Sequence, residues 1–437
     1  MPLSIPPIVR LAQRENRKRM TEFPTVCYNA LSVLKEGDMR VMRIGLFTDT
    51  YYPEINGVAT SCLMLRRELL AMGHEVYVFA PRCRGWREHR EPGVNYIASA
   101  PLLLLRDRNF ALPTPELLSR MRRLRLDVVH THSEFVLGML GHHVAKRLSC
   151  ALVHTYHTAW EDYTFYLTHG HGDAAVRNIA RRYSRWWCNR FDRVVAPTGK
   201  TRDLLRTYGV TAPIDIIPSG MDIGRFSPNR HSKEERQTAR KNCGVRPGER
   251  VLLYLGRMAR EKNLPEVLRA FALAKPSLPD VRFVLIGEGP MREELPALAE
   301  ELGVADSVSV VGPKPWEEID RWYAVGDVFC SASHSETQGL TYVEAMAAGL
   351  TVCAEEDPCL AGVIEDGVTG ILSAPGAEAL SQALLRAFGE EGQKSAIRAP
   401  AAAQAFGARR FAERVEVTYR QAVIDHLARQ AMGVDLE

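Results

Sequence analysis

The sequence predicts an α/β protein built from two Rossmann-like, doubly wound parallel-sheet domains facing one another across a cleft. Three observations carry this. The chain has 437 residues, 46% hydrophobic and 25% charged, which is more than one ordinary domain holds and enough for two packed cores. Short apolar segments alternate with helical ones, as a parallel sheet covered on both faces requires. That alternation begins twice, at Val41 and again at Arg250, with a breaker-rich stretch between.

Taken in order, residues 1–40 carry Arg, Lys, Pro and Gln without sustained periodicity and lack the apolar core and cleavage site of a secretory signal. They read as an appendage, or as the product of a start placed upstream of Met39 or Met42. The first domain, residues 41–214, opens with a strand at Arg43 to Phe47. A helix around Ala59 to Met72 follows, then strands at Glu75 to Ala80 and Asp127 to His130. PIDIIPSGMDIGRFSPNR, Pro213 to Arg230, has the Pro, Gly and Ser content of a linker or hinge. The second domain, residues 215–403, has strands at Arg250 to Gly256, Arg282 to Gly287, Val308 to Gly312, Val328 to Ser331 and Thr351 to Ala354. Residues 404–437, with a long helix from Gln404 to Met432, close the chain and are placed to return to the first domain. Two such sheets put ligands at the carboxyl ends of their strands, so chemistry belongs between the domains.

Composition narrows the function classes. The longest apolar runs, such as Pro101 to Leu105, fall far short of the roughly 20 residues that cross a bilayer. Nine scattered cysteines without a CxxC pair suit reduced thiols and a cytoplasmic location. A net charge of +4 does not imply nucleic acid, and an acidic partner would have to meet a local basic patch.

The segment SHSETQGLTYVEAMAAGL, Ser333 to Leu350, is the most specific signal. Gly339 can end a loop and let backbone approach a ligand, and the helix beginning at Leu340 would point free N–H groups at an anion such as a diphosphate. Glu344, one turn into that helix, can accept from vicinal ribose hydroxyls, and Glu336 in the loop can face a sugar. Solvated carboxylates on a surface helix are the bland alternative. In the first domain, TDTYYPEINGVAT, Thr48 to Thr60, puts Gly57 between a strand and a helix, where backbone N–H groups reach the cleft. It is not a GxGxxG fingerprint, and Asn56-Gly57 alone is a good turn.

The paired-glutamate segment resembles the motif of retaining GT-B glycosyltransferases that use nucleotide diphosphate sugars, the family 4-like group. Leu255, Gly256, Arg257 and then Glu261, Lys262, Asn263 resemble that family's strand-turn, and IGEGP (Ile286 to Pro290) and IIPSGMD (Ile216 to Asp222) stand where the family has them. The resemblance implies that Arg257 and Lys262 hold the donor diphosphate and that Gly57 belongs to a glycine loop touching donor or acceptor. It also implies that His157, in HTYHTAWEDY, lies beneath the transferred sugar. Cations at the diphosphate are physically reasonable, since the leaving group gains negative charge, and each is worth on the order of 3 kcal/mol. No metal or other cofactor is expected. His130, His132, His154 and His157 form the competing reading, a hydrolase metal site, but that would leave the paired glutamates and the second domain unexplained.

Between Asp173 and Asp192 the chain has no acidic residue, while Arg177, Arg181, Arg182 and Arg185 interleave with apolar residues and the pair Trp186 and Trp187. This basic amphipathic helix suits an anionic membrane surface, and Pro115 to Leu126 supplies a second basic helix. Core packing beneath a solvated arginine face is the alternative. HTHSEF, YHTAWEDY and ETQGLTYVEAMAAGL together look most like diacylglycerol glucosyltransferases. This implies UDP-glucose as donor, diacylglycerol as lipid acceptor, an α linkage and a peripheral position on the inner face of the cytoplasmic membrane. Mannosyl- and galactosyltransferases with other lipid or soluble acceptors share these motifs. From other classes, a nucleotide-sugar epimerase would turn over donor without acceptor, and a non-catalytic sugar- or lipid-binding protein would not need the full set Arg257, Lys262, Glu336 and Glu344.

Overall fold

The computed structural model describes residues 41–54, 56–101, 109–112, 114–157 and 173–432. The N-terminal extension, most of the Pro101 to Leu105 run and the AWEDY portion of the His157 motif lie outside the described residues. Two parallel sheets form the frame. The first has seven strands in the order β3-β2-β1-β6-β7-β8-β9. In chain order these are β1 (Arg43–Phe47), β2 (Glu75–Pro81), β3 (Val94–Ile97), β6 (Val128–Thr131), β7 (Ala151–Thr155), β8 (Arg193–Ala196) and β9 (Ile214–Ile216). A small antiparallel pair, β4 (Ser99–Pro101) and β5 (Asn109–Ala111), stands beside it. The second sheet runs β12-β11-β10-β13-β14-β15. Its members are β10 (Arg250–Leu255), β11 (Val281–Ile286), β12 (Val308–Val311), β13 (Val328–Ser331), β14 (Thr351–Glu355) and β15 (Ile371–Ser373).

These strands form because their side chains are buried on both faces. Val281–Ile286 and Val128–Thr131 are buried at every position, which demands helices above and below. Each sheet reverses its winding once, between β1 and β6 in the first and between β10 and β13 in the second. Crevices for ligands open at those switch points, beyond Phe47 and Thr131 on one side and Leu255 and Ser331 on the other.

The stretch expected as a hinge is more structured than its breakers suggest. Ile214–Ile216 is β9, the edge strand paired with β8, and Ile223–Phe226 is a 3-10 turn whose Ile223 and Phe226 pack into the second core. The final helix, Ala408–Met432, starts four residues later than the sequence implies, after a short 3-10 turn at Gln404–Phe406. It packs on the first sheet: Phe411, Ala412, Val415, Tyr419 and Ala422 share a core with Ile44, Leu46 and Val153. The crossing is pinned where Met221 N donates to Phe406 O and Ala408 N donates to Met221 O. Arg193, paired with both Asp215 and Asp425, ties the helix to β8 and β9. All eight cysteines among the described residues are free and buried.

Candidate active site

On the first-domain side, the loop after β1 is built by Asp49. Its Oδ1 accepts from Leu137 N at 3.1 Å and its Oδ2 from Ser133 Oγ at 2.5 Å. The carboxylate thus caps the Val136–Leu148 helix, whose own N-cap, Phe135, has no side chain that can do so. Asn56 caps the Gly57–Ala71 helix by accepting from Ala59 N, and its amide donates to Thr50 Oγ1. Asn56-Gly57 is therefore a helix start and not merely a turn.

His157 follows β7 and its ring meets His132, which follows β6, with 3.0 Å between Nε2 and His132 Nδ1. Burial lowers the His157 imidazole to about 3, assisted by His154, so the ring is neutral near pH 7. The four histidines do not share a focus. His130 engages Tyr419 and Thr155 through its two ring nitrogens, and His154 lies between Thr131 and Glu134. Among the described residues no group of three His, Cys, Asp or Glu side chains is arranged to hold a metal ion.

On the second-domain side, Arg257 leaves the end of β10 with its side chain 54% exposed and Glu261 3.9 Å away. Its turn rests on the IGEGP loop: Met258 N donates to Glu288 O and Met291 N to Met258 O. Gly287, at φ +153°, is required there because a Cβ would run into the Gly256 carbonyl. Lys262 and Glu336 meet at 2.5 Å, Nζ to Oε1. Gly339, at φ +70°, caps the Leu340–Ala347 helix, and a Cβ there would collide with the buried Tyr342 ring. Glu344 accepts from the Tyr323 hydroxyl at 2.6 Å. Burial pushes its carboxyl up to about 7, against the lowering effects of Tyr323 and Arg225.

The two sides touch. A Cβ built on Gly57 would stand 4.0 Å from Leu340 Cδ1, so the first-domain loop faces the start of the Gly339 helix. Thr337 Oγ1 donates to the His157 carbonyl at 3.3 Å, which places the Glu336 loop against the His157 backbone. Thr198 Oγ1 donates to Thr337 O, and Gln338 exchanges two hydrogen bonds with the Ser219 backbone. Lys200 bridges from the Gly199–Thr207 helix to His334 O at 2.7 Å and to both Asp357 oxygens at 2.8 and 2.9 Å. These contacts gather Gly57, the His157 backbone, Lys262, Glu336, Gly339 and Leu340 where the two domains meet, with Arg257 exposed past the end of β10 and Glu344 one turn into the Gly339 helix.

Sequence reasoning missed Lys200, Asp357, Thr198 and Tyr323. Lys200 had a signal: a cation in the first turn of a helix opposes the helix dipole and calls for an anionic partner elsewhere.

The basic helix, Asp173–Cys188, requires one correction. Arg177, Arg181, Arg182 and Arg185 are exposed, as are Ile179 and Trp186 at 66% and 45%. Trp187 is only 1% exposed and packs against Phe191, His142 and His154, so it belongs to the core and not to a membrane-facing pair. Successive helical residues point about 100° apart, and adjacent tryptophans cannot share a face. Among the described residues no helix is long and apolar enough to cross a membrane.

This arrangement, two Rossmann-like sheets closing on cations, a glycine-capped helix and paired carboxylates, is that of a GT-B glycosyltransferase. Residues 55–225 match Glycosyltransferase Family 4 and residues 235–404 match Glycosyl transferases group 1. The chain is 37% identical over 333 residues to the alpha-monoglucosyldiacylglycerol synthase of Streptococcus pneumoniae, covering 76% of this chain and 75% of that one. It is 34% identical over 335 residues to the enzyme of the same name from Acholeplasma laidlawii, covering 76% and 84%. Among solved structures, Anabaena HepE in complex with UDP and glucose superposes with a TM-score of 0.67 at 19% identity, covering 86% of this chain and 99% of that one. The chain belongs to this family of glycosyltransferases, and its fold is GT-B.

Proposed function

We propose that the protein transfers glucose from UDP-glucose to diacylglycerol with retention of configuration, making an α-glucosyl lipid at the inner face of the cytoplasmic membrane. The observation that carries this reading is its likeness to two alpha-monoglucosyldiacylglycerol synthases over three-quarters of the chain. In this reading residues 41–214 receive the acceptor, residues 215–403 the donor, and the Ala408–Met432 helix braces the first half. The exposed face of Arg177, Arg181, Arg182, Arg185 and Trp186 meets anionic lipid headgroups.

The acceptor oxygen attacks the anomeric carbon on the face from which UDP departs. The bond from that carbon to the phosphate oxygen breaks with its electron pair going to the phosphate, the new glycosidic bond forms, and the acceptor proton passes to the departing phosphate oxygen. Arg257 and Lys262 neutralise the charge that develops on UDP, joined by the N–H groups at the start of the Gly339 helix. Glu336 holds sugar hydroxyls and Glu344 the ribose. His157, kept neutral by burial, lies under the sugar without repelling the positive charge that develops there. The Gly57 backbone closes the crevice from the acceptor side. No metal is assigned a step.

A donor and acceptor survey tests the reading. UDP-glucose, UDP-galactose and GDP-mannose are each offered with diacylglycerol in anionic vesicles, and the lipid product is characterised by proton NMR. An α-glucosyl lipid from UDP-glucose supports the proposal, and preferential use of GDP-mannose or a β-linked product overturns it.

A further inference from the structure

His132 has no part in the mechanism above, yet it touches the side chain assigned to the underside of the sugar. Its Nδ1 is 3.0 Å from His157 Nε2, and the rings lie 5.3 Å apart at 26°. Against His132, at 4.0 Å between centroids, lies His130, which is itself fixed at both nitrogens by Tyr419 and Thr155, 2.7 Å each. The remaining nitrogen of His132, Nε2, is buried and has no hydrogen-bond partner among the described residues.

Burial holds all three imidazoles well below their ordinary range, so each carries one ring proton near neutral pH. One nitrogen of the His132 and His157 contact donates and the other accepts. If His157 donated from Nε2, the proton of His132 would sit on its own Nε2, a buried N–H with no acceptor among the described residues. If His132 donates from Nδ1, the orphaned atom is a bare acceptor. Unpaired buried N–H groups are the rarer of the two in native structures. The second arrangement also fixes the other ring: accepting at Nε2, a neutral His157 must carry its proton on Nδ1.

We propose that His132 is a positioning residue that donates from Nδ1 to His157 Nε2, locking His157 as the Nδ1–H tautomer so that it offers a hydrogen-bond donor to an oxygen of the transferred sugar. This rests on the reading that His157 lies beneath the sugar and adds to it the identity of the proton and of the residue that sets it.

Nitrogen-15 NMR of the full chain with ring-labelled histidine reads the tautomer without reference to activity. His157 protonated at Nδ1 is expected, and His157 protonated at Nε2 would overturn the proposal. Kinetics supply a second test, because an asparagine amide can stand in for Nδ1 and a glutamine amide for Nε2. His132→Asn is expected to keep kcat within about threefold of the parent. His132→Gln and His132→Ala should lose on the order of thirtyfold in kcat, with donor KM changed by no more than about threefold. Equal losses in the Asn and Gln variants, at matched thermal midpoints, would mean that His132 only fills space. Unimpaired turnover in His157→Ala would overturn the reading of His157 itself, and the catalytic half of this proposal with it.

Discussion

Lys262 Nζ lies 2.5 Å from Glu336 Oε1, so the cation assigned to the donor diphosphate and the carboxylate assigned to the sugar neutralise one another on the second-domain side of the site. Both side chains are mostly shielded, 22% and 17% exposed. A diphosphate entering this site competes for Lys262, and its arrival frees Glu336 to accept from sugar hydroxyls. The pair therefore acts as a unit. Lys262→Met and Glu336→Gln should each lower kcat/KM by about 100- to 1000-fold, on the order of 3 to 4 kcal/mol. The double variant should fall short of the summed losses by more than about 1 kcal/mol. Steady-state kinetics of the four proteins checks this, and strictly additive losses would mean that the residues act independently.

Glu344 sets a pH dependence. Its folded carboxyl is raised to about 7 by burial, above the ordinary value of 4.5. The folded state therefore holds a proton that the unfolded chain has released, and this group's contribution to stability falls as pH rises from about 4.5 through 7. Ribose hydroxyls donate best to the ionised form, so donor KM should rise as pH drops below about 7. Glu344→Gln should flatten both dependences, measured by thermal unfolding and donor KM between pH 5.5 and 8.5.

Lys200 ties the Gly199–Thr207 helix to Asp357, which is only 5% exposed, and to the backbone of the Glu336 loop. Lys200→Met leaves that carboxylate without its cation and releases the loop. A loss of about tenfold or more in kcat/KM is expected, with partial recovery in Lys200→Arg. Small-angle scattering of the Met variant should show a wider distribution of radii of gyration than the parent, and an unchanged distribution would count against Lys200 holding the two domains together.

Trp186 and Trp187 should separate cleanly. Trp187→Ala removes a fully packed ring and is expected to cost about 3 to 5 kcal/mol of stability. Trp186→Ala should leave the thermal midpoint within a degree or two and weaken binding to anionic vesicles. Replacing Arg177, Arg181, Arg182 and Arg185 with Gln should lower vesicle affinity by about 1 kcal/mol per residue near the surface, as read by co-sedimentation at low and moderate salt.

Much of this architecture is legible in the sequence because the signals are local. Val328–Ser331 and the Ile44–Phe47 part of Arg43–Phe47 are short, largely apolar segments, and strands form over Val328–Ser331 and Arg43–Phe47. Gly339 and the IGEGP glycines mark backbone positions that a Cβ would obstruct, so their identity alone points to close approaches. What escapes a linear reading depends on partners distant in the chain. Ile214–Ile216 is a strand only because β8 offers an open edge, despite the prolines flanking it. Lys200 finds Asp357 157 residues away, and His130 finds Tyr419 across 289. The contact between Lys262 and Glu336 has the same origin: the motifs name both residues, but only the register of β10 against β13 brings them together.

Lipid glucosylation by this protein is tested by release of UDP from UDP-glucose by the purified protein, with and without diacylglycerol in anionic vesicles. Release should depend on diacylglycerol, be matched mole for mole by an α-glucosyl lipid and be lost in Glu336→Gln. UDP release indifferent to diacylglycerol, or full lipid-dependent turnover in Glu336→Gln, would contradict it.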